Sequence, residues 1–496
     1  MPYLMVRPLL GNVGVIQLWV GVFGYKTAPI LNFTLNEKAV SPEISSQPLA
    51  PIRDDDCLNK RPLSYQGIYE FSVQGNDSEH RFNVSIPQDG TSRFLAVKSL
   101  PAKVPFLGNS FKIMLMSCYC AGTDAVGVGD FVQQIPVRPD MTLFAGDQVY
   151  LDQPPFFHMP DSAEELRKNI AAKYRRNWLS DFTGQRGLQK ALTKAPTLCL
   201  PDDHEFWNNY PWEQVWKEGT GPEPGANGIN HWEVVARELL QDFQLGGAPA
   251  SQQPWTFLEI EPLSMLFLDT RSYRQKNFTS PTGLMPDSAW KAVEKWRDNL
   301  LDHQINGKPL IGVLATGQAL FCEPTGWLLN KMGDAELANY TTQFAKLMES
   351  IDKLGECGVQ VIFLTGDVHW NRVAQANHTR TKRTTLTEVI CSPTSLCVTP
   401  GVDLANIAKH TVGGLFGKNS DWKRHSDPDT PPKYVGEKNQ FSPFEKFYGM
   451  RGNHVAIIEF TRSGSGVNMT VNYYPITYPA SPAVSTRTYP IINVNT

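Results

Sequence analysis

The chain has 496 residues, of which 41% are hydrophobic and 19% are charged, and its net charge is -3. This length exceeds the roughly 250–300 residues at which a single core stops growing, so two or more domains are expected. The near-neutral charge, without a long basic block, argues against dedicated nucleic-acid binding. Eight cysteines are too few for a disulfide scaffold. Cys391 and Cys397 could pair, but separate buried thiols are the favoured interpretation.

The N-terminal segment "GNVGVIQLWVGVFGY" is apolar but is more typical of a strand than of a signal peptide. Val13, Val15, Gln17 and Trp19 alternate, and no A-x-A cleavage site follows. No apolar run reaches the roughly 18 residues of a membrane span, so no transmembrane segment is expected. We therefore expect a cytoplasmic chain, and a secreted or periplasmic one if a leader precedes this sequence.

Residues 1–104 contain short alternating runs such as "GIYEFSVQG" and "HRFNVSIP", broken by Pro, Gly, Asn and Asp. This pattern predicts a small N-terminal β-sandwich domain. Over 105–496, short apolar strands alternate with helical segments, which predicts a second, layered α/β domain. Its predicted strands are "KIMLMSC", "MTLFAGD", "PTLCLPDD", "SMLFLDT", "LIGVLATG" and "VQVIFLTGD".

Two helices of this second domain have clear signals. Asp287 is expected to cap the first, and Gly355 is expected to end a second one that begins near Leu337. The expected buried face of the first helix contains Trp290, Val293, Trp296 and Leu300. The segment 416–446 is rich in Pro and charge without a period, which predicts a long loop or lid.

Polar side chains follow the ends of the predicted strands. In open α/β sheets, ligands bind at the carboxyl ends of strands, so these side chains are candidates for one site. They are Cys118, Asp147, Tyr150, Asp202, Asp203, His204, Glu205, Asp269, Arg271, Asp367 and His369.

Each of these candidates also has a simpler interpretation. Asp147 and Asp367 follow glycines, where Asp often only stabilises a turn. His369 taken alone is more typical of an ordinary hydrogen-bonded histidine. The adjacent carboxylates of "DDHE" repel each other, a cost that a bound cation would remove. Together the O, N and S donors suit a two-metal centre that binds phosphate.

Three of these motifs are similar to metallophosphoesterase signatures. "GDQVY", "DDHE" and "GDVH" resemble GDxxY, GNH[DE] and GHxH of the purple acid phosphatases. Together with "MSCYC", "LDTRSYR" and a preceding sandwich, they resemble the alkaline phosphatase D (PhoD-like) family over nearly the whole chain. The resemblance implies a four-layer αββα metallophosphoesterase domain after the sandwich. It also implies hydrolysis of phosphodiesters, with phosphomonoesters as a second class, through a metal-bound hydroxide.

The resemblance further implies an Fe(3+) site and a Ca(2+) site. Asp147 is expected to bridge the two ions, and Tyr150, His369 and Cys118 are expected to complete the iron site. A buried structural thiol is the alternative for Cys118. No family motif assigns a role to Cys120, and it is expected not to bind iron.

The second metal is expected to lie at Asp203 and Asp367, since oxygen ligands suit a hard cation such as calcium. His204 matches the histidine that contacts phosphate and protonates the leaving oxygen. Arg271 is a candidate phosphate clamp, although a structural pair with Asp269 would look the same in sequence.

Weaker candidates for substrate contacts are Asp202, Asn208, Asn209 and Gln318. Turn or capping roles are equally compatible with the two asparagines, and Gln318 could line the second metal. The expected partner is a phosphate-ester substrate. Two rivals remain: a nuclease or phospholipid-directed esterase on the same centre, and a non-catalytic binding protein that metals stabilise.

Overall fold

Three β-sheets organise the described part of the chain in this computed structural model. The structure describes all residues except 1, 59–61, 107, 155–158, 161, 215–216, 222–229, 246–252, 277–279, 281, 322–336, 398–439, 444–447, 465, 478–481, 486–488 and 491–496. The predicted loop over 416–446 therefore lies outside the described residues, apart from 440–443.

The first sheet has eleven strands within the described ranges. Their spatial order is β22 (Val484–Ser485), β21 (Gly466–Pro475), β20 (His454–Ser463), β9 (Phe111–Met116), β10 (Met141–Ala145), β11 (Thr197–Leu200), β1 (Tyr3–Leu9), β2 (Val15–Phe23), β6 (Ser64–Ser72) and β5 (Gln47–Pro51), with β23 (Tyr489–Pro490) beside β21.

The second and third sheets have eight and four strands in the described part of the chain. The order in the second is β12 (Trp255–Ile260), β13 (Leu263–Leu268), β14 (Ile311–Ala315), β15 (Val361–Thr365), β17 (Thr384–Ile390), β16 (Asn371–His378) and β18 (Phe441–Pro443), with β19 (Tyr448–Met450) beside β16. The order in the third is β4 (Lys38–Val40), β3 (Asn32–Leu35), β7 (Glu79–Ile86) and β8 (Thr91–Lys98).

The centre of each large sheet is parallel and buried. Strands β9, β10 and β11 are parallel, as are β13, β14 and β15. Residues of both sheets, including Ile113, Leu143, Met265 and Val313, form one apolar cluster and are fully buried. Such near-continuous Val, Ile and Leu runs are typical of parallel strands covered on both faces. The predicted α/β class is confirmed.

Helices cover the outer faces of the two large sheets. Those near the first sheet are α1 (Asp55–Leu58), α2 (Val128–Gln134), α3 (Ala163–Trp178), α4 (Ser180–Thr183), α5 (Gln189–Leu192) and α6 (His231–Leu239), and those near the second are α7 (Asp287–Ile305) and α8 (Thr341–Glu356). The predicted apolar face of α7 is buried. The predicted cap at Asp287 is wrong, because Pro286 precedes the helix and Asp287 is its first residue.

The predicted bounds of the second helix need a similar correction. Helix α8 begins at Thr341 rather than near Leu337, which lies in a separate 3-10 turn. It also continues through Gly355 to Glu356. The left-handed glycine that follows the helix is Gly358, with φ of 77°.

The N-terminal strands continue the first large sheet. Strand β1 lies parallel to β11, with Leu9 opposite Thr197. Apolar residues of β1, β2 and β6 share a second cluster with those of the four-stranded sheet, including Val20, Phe33 and Val84. Arg7 of β1 also donates hydrogen bonds to Thr197 and to the carbonyl of Phe243. Residues 1–104 are thus in extensive contact with the rest of the chain, and an independent domain ending at 104 stays a prediction.

Candidate metal centre

Six strands of the two large sheets end around one buried group of polar side chains. Because β9, β10 and β11 are parallel, and β13, β14 and β15 likewise, the carboxyl ends of each set lie on one edge. The predicted site residues that follow these six ends are Cys118, Asp147, Asp203, Arg271, Gln318 and Asp367, and all of them are buried.

The two sheets approach each other closely at Gly366. A Cβ atom at this position would lie 2.3 Å from Cβ of Ser117 and 2.4 Å from the carbonyl oxygen of Ala145. Only glycine fits such a contact without displacement of backbone. This contact allows the end of β15, with Asp367, to lie against the ends of β9 and β10.

Four predicted metal ligands have left-handed backbone conformations. The φ angles of Cys118, Asp147, Asp367 and His369 are 51°, 58°, 65° and 61°. In residues other than glycine this conformation costs roughly 1–3 kcal/mol each and persists only where the surroundings enforce it. Its concentration at one edge of the sheets is typical of a functional site.

Asp147 lies between three other candidate residues. Its Oδ2 is 3.5 Å from Sγ of Cys118 and accepts a hydrogen bond of 3.4 Å from the Tyr150 hydroxyl. Its Oδ1 accepts one of 3.3 Å from the backbone N–H of His204. Burial raises the pKa of Asp147 well above its usual value, and His204 opposes this shift while Asp203 adds to it. The charged form of the Asp147 carboxylate is therefore stabilised too little by the positive charge of the surrounding side chains.

A second group of carboxylates adjoins Asp147. Oxygen atoms of Asp202, Asp203 and Asp367 all lie within 4.8 Å of one another, and ligand atoms of Asp147, Asp203 and His204 do the same. Oδ2 of Asp202 is buried and has no hydrogen-bond partner in the described part of the chain. Buried carboxylates at these distances repel each other unless a cation lies between them. The residues therefore fit a pair of bound cations.

His369 and Cys118 are joined through Ser392. The Ser392 hydroxyl donates to Sγ of Cys118 at 3.3 Å and accepts from the backbone N–H of His369 at 3.1 Å. Burial, and then the charge of His204, lowers the pKa of His369 to about 4. The imidazole is thus neutral at physiological pH, which is the form that binds metals.

His204 is oriented by Asp152. Its Nδ1 is 2.8 Å from Oδ1 of Asp152, and its ring lies 4.1 Å from the ring of Tyr150. Burial alone would lower the pKa of His204, but Asp152 and then Asp203 and Asp147 raise it well above its usual value. Because Asp152 occupies Nδ1, Nε2 is the ring atom left for a substrate.

Arg271 is fully buried between two acidic side chains. Its Nε donates to Asp202, its Nη1 donates to the carbonyl of Tyr210 at 2.9 Å, and its Nη2 is 3.8 Å from Oδ1 of Asp203. Asp269 instead accepts the backbone N–H of Arg271 at 2.9 Å. The ionic partner of Arg271 is therefore Asp202, and Nη2 has no hydrogen-bond partner among the described residues.

The weaker candidates differ in what they contribute. Oε1 of Gln318 accepts from Arg274 at 2.6 Å, and its buried Nε2 is without a described hydrogen-bond partner. Asn209 donates its backbone N–H to Asp203 at 2.5 Å, and its Oδ1 is buried with no hydrogen-bond partner in the described ranges. Asn208 donates its backbone N–H to Asp152 at 3.0 Å. Gln318 and Asn209 therefore have free polar atoms beside the acidic cluster.

Comparison with known proteins indicates a family and a fold for this chain. Residues 114–304 match the family model of the PhoD-like phosphatases. The predicted resemblance to this family is confirmed. A solved structure of PhoD is similar over 97% of this chain and 88% of its own, with a TM-score of 0.57 and 14% sequence identity. At that identity the similarity establishes the PhoD-like fold alone. None of the curated proteins compared with the chain matches it.

The matched segment contains most of the predicted site. Cys118, Asp147 and Asp203 lie within it, whereas Asp367 and His369 lie beyond residue 304. The second large sheet brings these last two residues to the PhoD-like segment. No helix in the described ranges is long and apolar enough to cross a membrane.

Three residues beside the site, Asp152, Ser392 and Arg274, were not among the sequence candidates, and a fourth, Glu205, was a candidate without an assigned role. Asp152 comes two positions after "GDQVY". An acid so close to a motif could have been proposed as a site residue from the sequence. Arg274 is the last residue of "LDTRSYR", but its contact with Gln318, 44 residues away, depends on the fold, as does the contact of Ser392 with Cys118. Glu205 was noted only as one acid of "DDHE", although it accepts hydrogen bonds from the backbone of Asp147.

Cys120 lies in a different environment from Cys118. Its thiol hydrogen-bonds Cys397, an interaction that lowers the pKa of Cys120 to about 6, and its backbone N–H donates to Ser395 at 3.1 Å. Cys391 and Cys397 are not joined by a disulfide, and Cys391 is buried as predicted while Cys397 is partly exposed. The hydrogen bonds of Cys120 thus join it to Cys397 and Ser395, whereas Sγ of Cys118 lies beside Asp147.

The resemblance implies an iron site, and replacement of Cys118 by alanine is expected to remove that iron and its visible charge-transfer absorption, while Cys120→Ala keeps both. The reason is that Sγ of Cys118 lies beside Asp147, whereas Cys120 contacts Cys397. The iron content and visible spectrum of the two purified variants provide the measurement. Equal loss of iron from both would contradict the distinction between the two cysteines.

Proposed function

We propose that this chain is a metal-dependent phosphoesterase that hydrolyses phosphodiesters, and phosphomonoesters as a second class. The observation that carries the proposal is the buried group of carboxylate, thiol, phenol and imidazole side chains around Asp147. The family match supports hydrolysis of phosphate esters. We also infer that the helices and the two large sheets form the four-layer αββα arrangement, with apolar clusters between successive layers.

The donor types divide the centre into two ion sites. Fe(3+) would be held by Cys118, Asp147, Tyr150 and His369, and Ca(2+) by Asp203 and Asp367 with Asp147 shared. When bound, the ions neutralise phosphoryl charge and lower the pKa of water, which supplies a nucleophile at neutral pH.

The protein's own side chains bind and orient the ester. Nη2 of Arg271 and Nε2 of Gln318 are buried donors without described hydrogen-bond partners, and phosphoryl oxygens would satisfy both. Burial excludes water and so strengthens these contacts, because the local dielectric is low. Asp202 offsets the one unit of positive charge on Arg271, so Arg271 would contribute a directed donor, and the net positive charge for the phosphate would come from the bound metals.

His204 would assist departure of the alcohol. With Nδ1 held by Asp152 at 2.8 Å, the proton on Nε2 is available to the leaving oxygen. An oriented proton donor has no evident use in a protein that binds metals only for stability. His204 and Asp152 therefore favour an enzyme over the non-catalytic alternative.

Asp152→Asn is expected to slow hydrolysis of alkyl phosphodiesters by roughly 10–100-fold, the usual effect of losing an orienting partner. Esters of p-nitrophenol should be affected much less, because p-nitrophenolate leaves without protonation. The measurement is the ratio of kcat for a methyl ester to kcat for a p-nitrophenyl ester in both proteins. An equal decrease for the two leaving groups would contradict this role of Asp152.

The proposed function is tested by metal analysis of the purified protein together with turnover of bis-p-nitrophenyl phosphate. We expect bound iron and calcium, loss of turnover after chelation, and recovery when both ions return. A panel of nucleic acids and phospholipids separates the rival substrate classes. Full activity of the metal-free protein would contradict the proposal.

A further inference from the structure

Glu205 joins the two loops that carry the predicted ligands of the first sheet. Its Oε2 accepts the backbone N–H groups of Asp147 at 3.0 Å and Asp202 at 2.8 Å. Its Oε1 accepts those of Gln148 at 2.6 Å and Val149 at 3.1 Å. One fully buried carboxylate thus accepts four backbone donors from two separate loops.

These hydrogen bonds constrain the segments that hold the centre. The loop 146–150 carries Asp147 and Tyr150, and the turn 202–205 carries Asp203 and His204. Both follow strands that end in the same buried region, where an unpaired backbone N–H is costly. A single side chain therefore fixes the distance between the two loops and satisfies their donors.

Glu205 is itself held by a π-helix, Leu240–Leu245. Nε2 of Gln244 in this helix donates to Oε1 of Glu205 at 3.1 Å. Oε1 of Gln244 accepts a hydrogen bond from the Tyr174 hydroxyl at 3.0 Å. The carbonyl of Gln244 accepts from Arg7 of β1 at 2.9 Å. Single-turn π-helices often occur at functional sites. Here the π-helix connects the first strand of the chain to the candidate metal centre.

We propose that Glu205 is a positioning residue that sets the separation between Asp147 and Asp203 and so keeps the two ion sites at a distance both ions can use. Gln244 and Arg7 extend this support to β1. The inference rests on the proposed function for its consequence in catalysis, but the hydrogen bonds that carry it can be tested without a substrate.

The test compares the metal-loaded full chain with its Glu205→Gln variant by hydrogen exchange resolved to the segments 147–149 and 202–205. Glutamine has nearly the same size but only one acceptor oxygen and no charge. We expect the protected amides of both segments to exchange at least roughly tenfold faster, because hydrogen bonds to a charged group are lost. Iron affinity should fall by roughly 10–100-fold. Glu205→Asp keeps the charge on a shorter side chain and should give a smaller change of the same kind.

Asp140→Asn is the matched control. Asp140 is also a buried carboxylate that accepts a backbone N–H, from Lys112 at 2.7 Å. It lies just before the first residue of β10, whereas Asp147 follows the last residue of this strand. It should lower thermal stability and leave both exchange segments and iron content unchanged. Unchanged exchange in a folded Glu205→Gln or Glu205→Asp protein would overturn the proposal, as would the same acceleration in Asp140→Asn. If wild-type protein binds metals but hydrolyses no phosphate ester, the proposed function fails, while faster exchange and iron loss in Glu205→Gln still support positioning.

Discussion

Asp147→Ala is expected to lower kcat/KM for phosphodiesters by at least about a thousandfold, since the removed carboxylate would contact both ions and metal ions supply several kcal/mol of transition-state stabilisation. The same change should raise the melting temperature of chelator-treated protein. In the absence of metals, burial and the nearby carboxylates raise the pKa of Asp147, so its charge opposes folding.

Two measurements made together test this prediction. The first is turnover of bis-p-nitrophenyl phosphate, and the second is the melting temperature with and without chelator. Asp140→Asn is the control, because it removes a buried carboxylate that precedes the other end of the same strand. A loss of activity with a lower melting temperature of the chelated protein would indicate that Asp147 has a structural role instead.

Arg271→Met is expected to destabilise the metal-free protein by about 3–5 kcal/mol, the usual cost of leaving a buried charge without its partner. Asp202 is fully buried and would lose its ionic partner, and Asp203 would lose a positive charge at 3.8 Å. Arg271→Lys keeps the charge but cannot bind Asp202, the Tyr210 carbonyl and a phosphoryl oxygen together. It should lower kcat/KM by roughly 100-fold with a smaller loss of stability.

The measurements are denaturant unfolding of the chelated proteins and kcat/KM of the metal-loaded proteins. Arg175→Met is the matched control, because Arg175 also pairs with a fully buried carboxylate, that of Asp54, outside the centre. It should reduce stability and leave kcat/KM close to that of the wild type. If Arg271→Lys retained full kcat/KM, Arg271 would be a structural residue and no phosphate clamp.

The strand ends show how much of the site could be predicted from sequence. A short apolar strand followed by a polar residue is a local pattern, and the structure brings Asp147, Asp203 and Asp367, which this pattern picks out, close together. The parallel arrangement of the strands then places their ends together, a general property of open α/β sheets. The left-handed conformation of Asp147 was not predictable, because it depends on contacts with Glu205 and Cys118.

Long-range partners account for most of what was missed. Asp269 was the predicted alternative partner of Arg271 because it is two residues away, but its carboxylate accepts backbone N–H groups of its own turn. The guanidinium therefore pairs with Asp202, 69 residues away in the chain. Such choices follow from competition among acceptors in the folded state, which no short sequence pattern contains.

The N-terminal region shows a related limit. Alternating strands over 1–104 were predicted correctly as β structure. The pairing of β1 with β11 joins Leu9 to Thr197, and it depends on which sheet edge is free once the later strands have assembled. Arg7 reinforces this junction by hydrogen bonds to the π-helix. The sequence therefore predicts that this region forms strands, but it does not predict which sheet those strands join.

The most direct test of the central claim is anomalous diffraction from crystals of the metal-loaded protein, measured at the iron edge. We predict one strong iron peak within bonding distance of Cys118, Asp147, Tyr150 and His369, and a second, calcium-occupied position beside Asp203 and Asp367. An iron peak elsewhere, or none beside Asp147 in protein that hydrolyses phosphodiesters, would contradict the account.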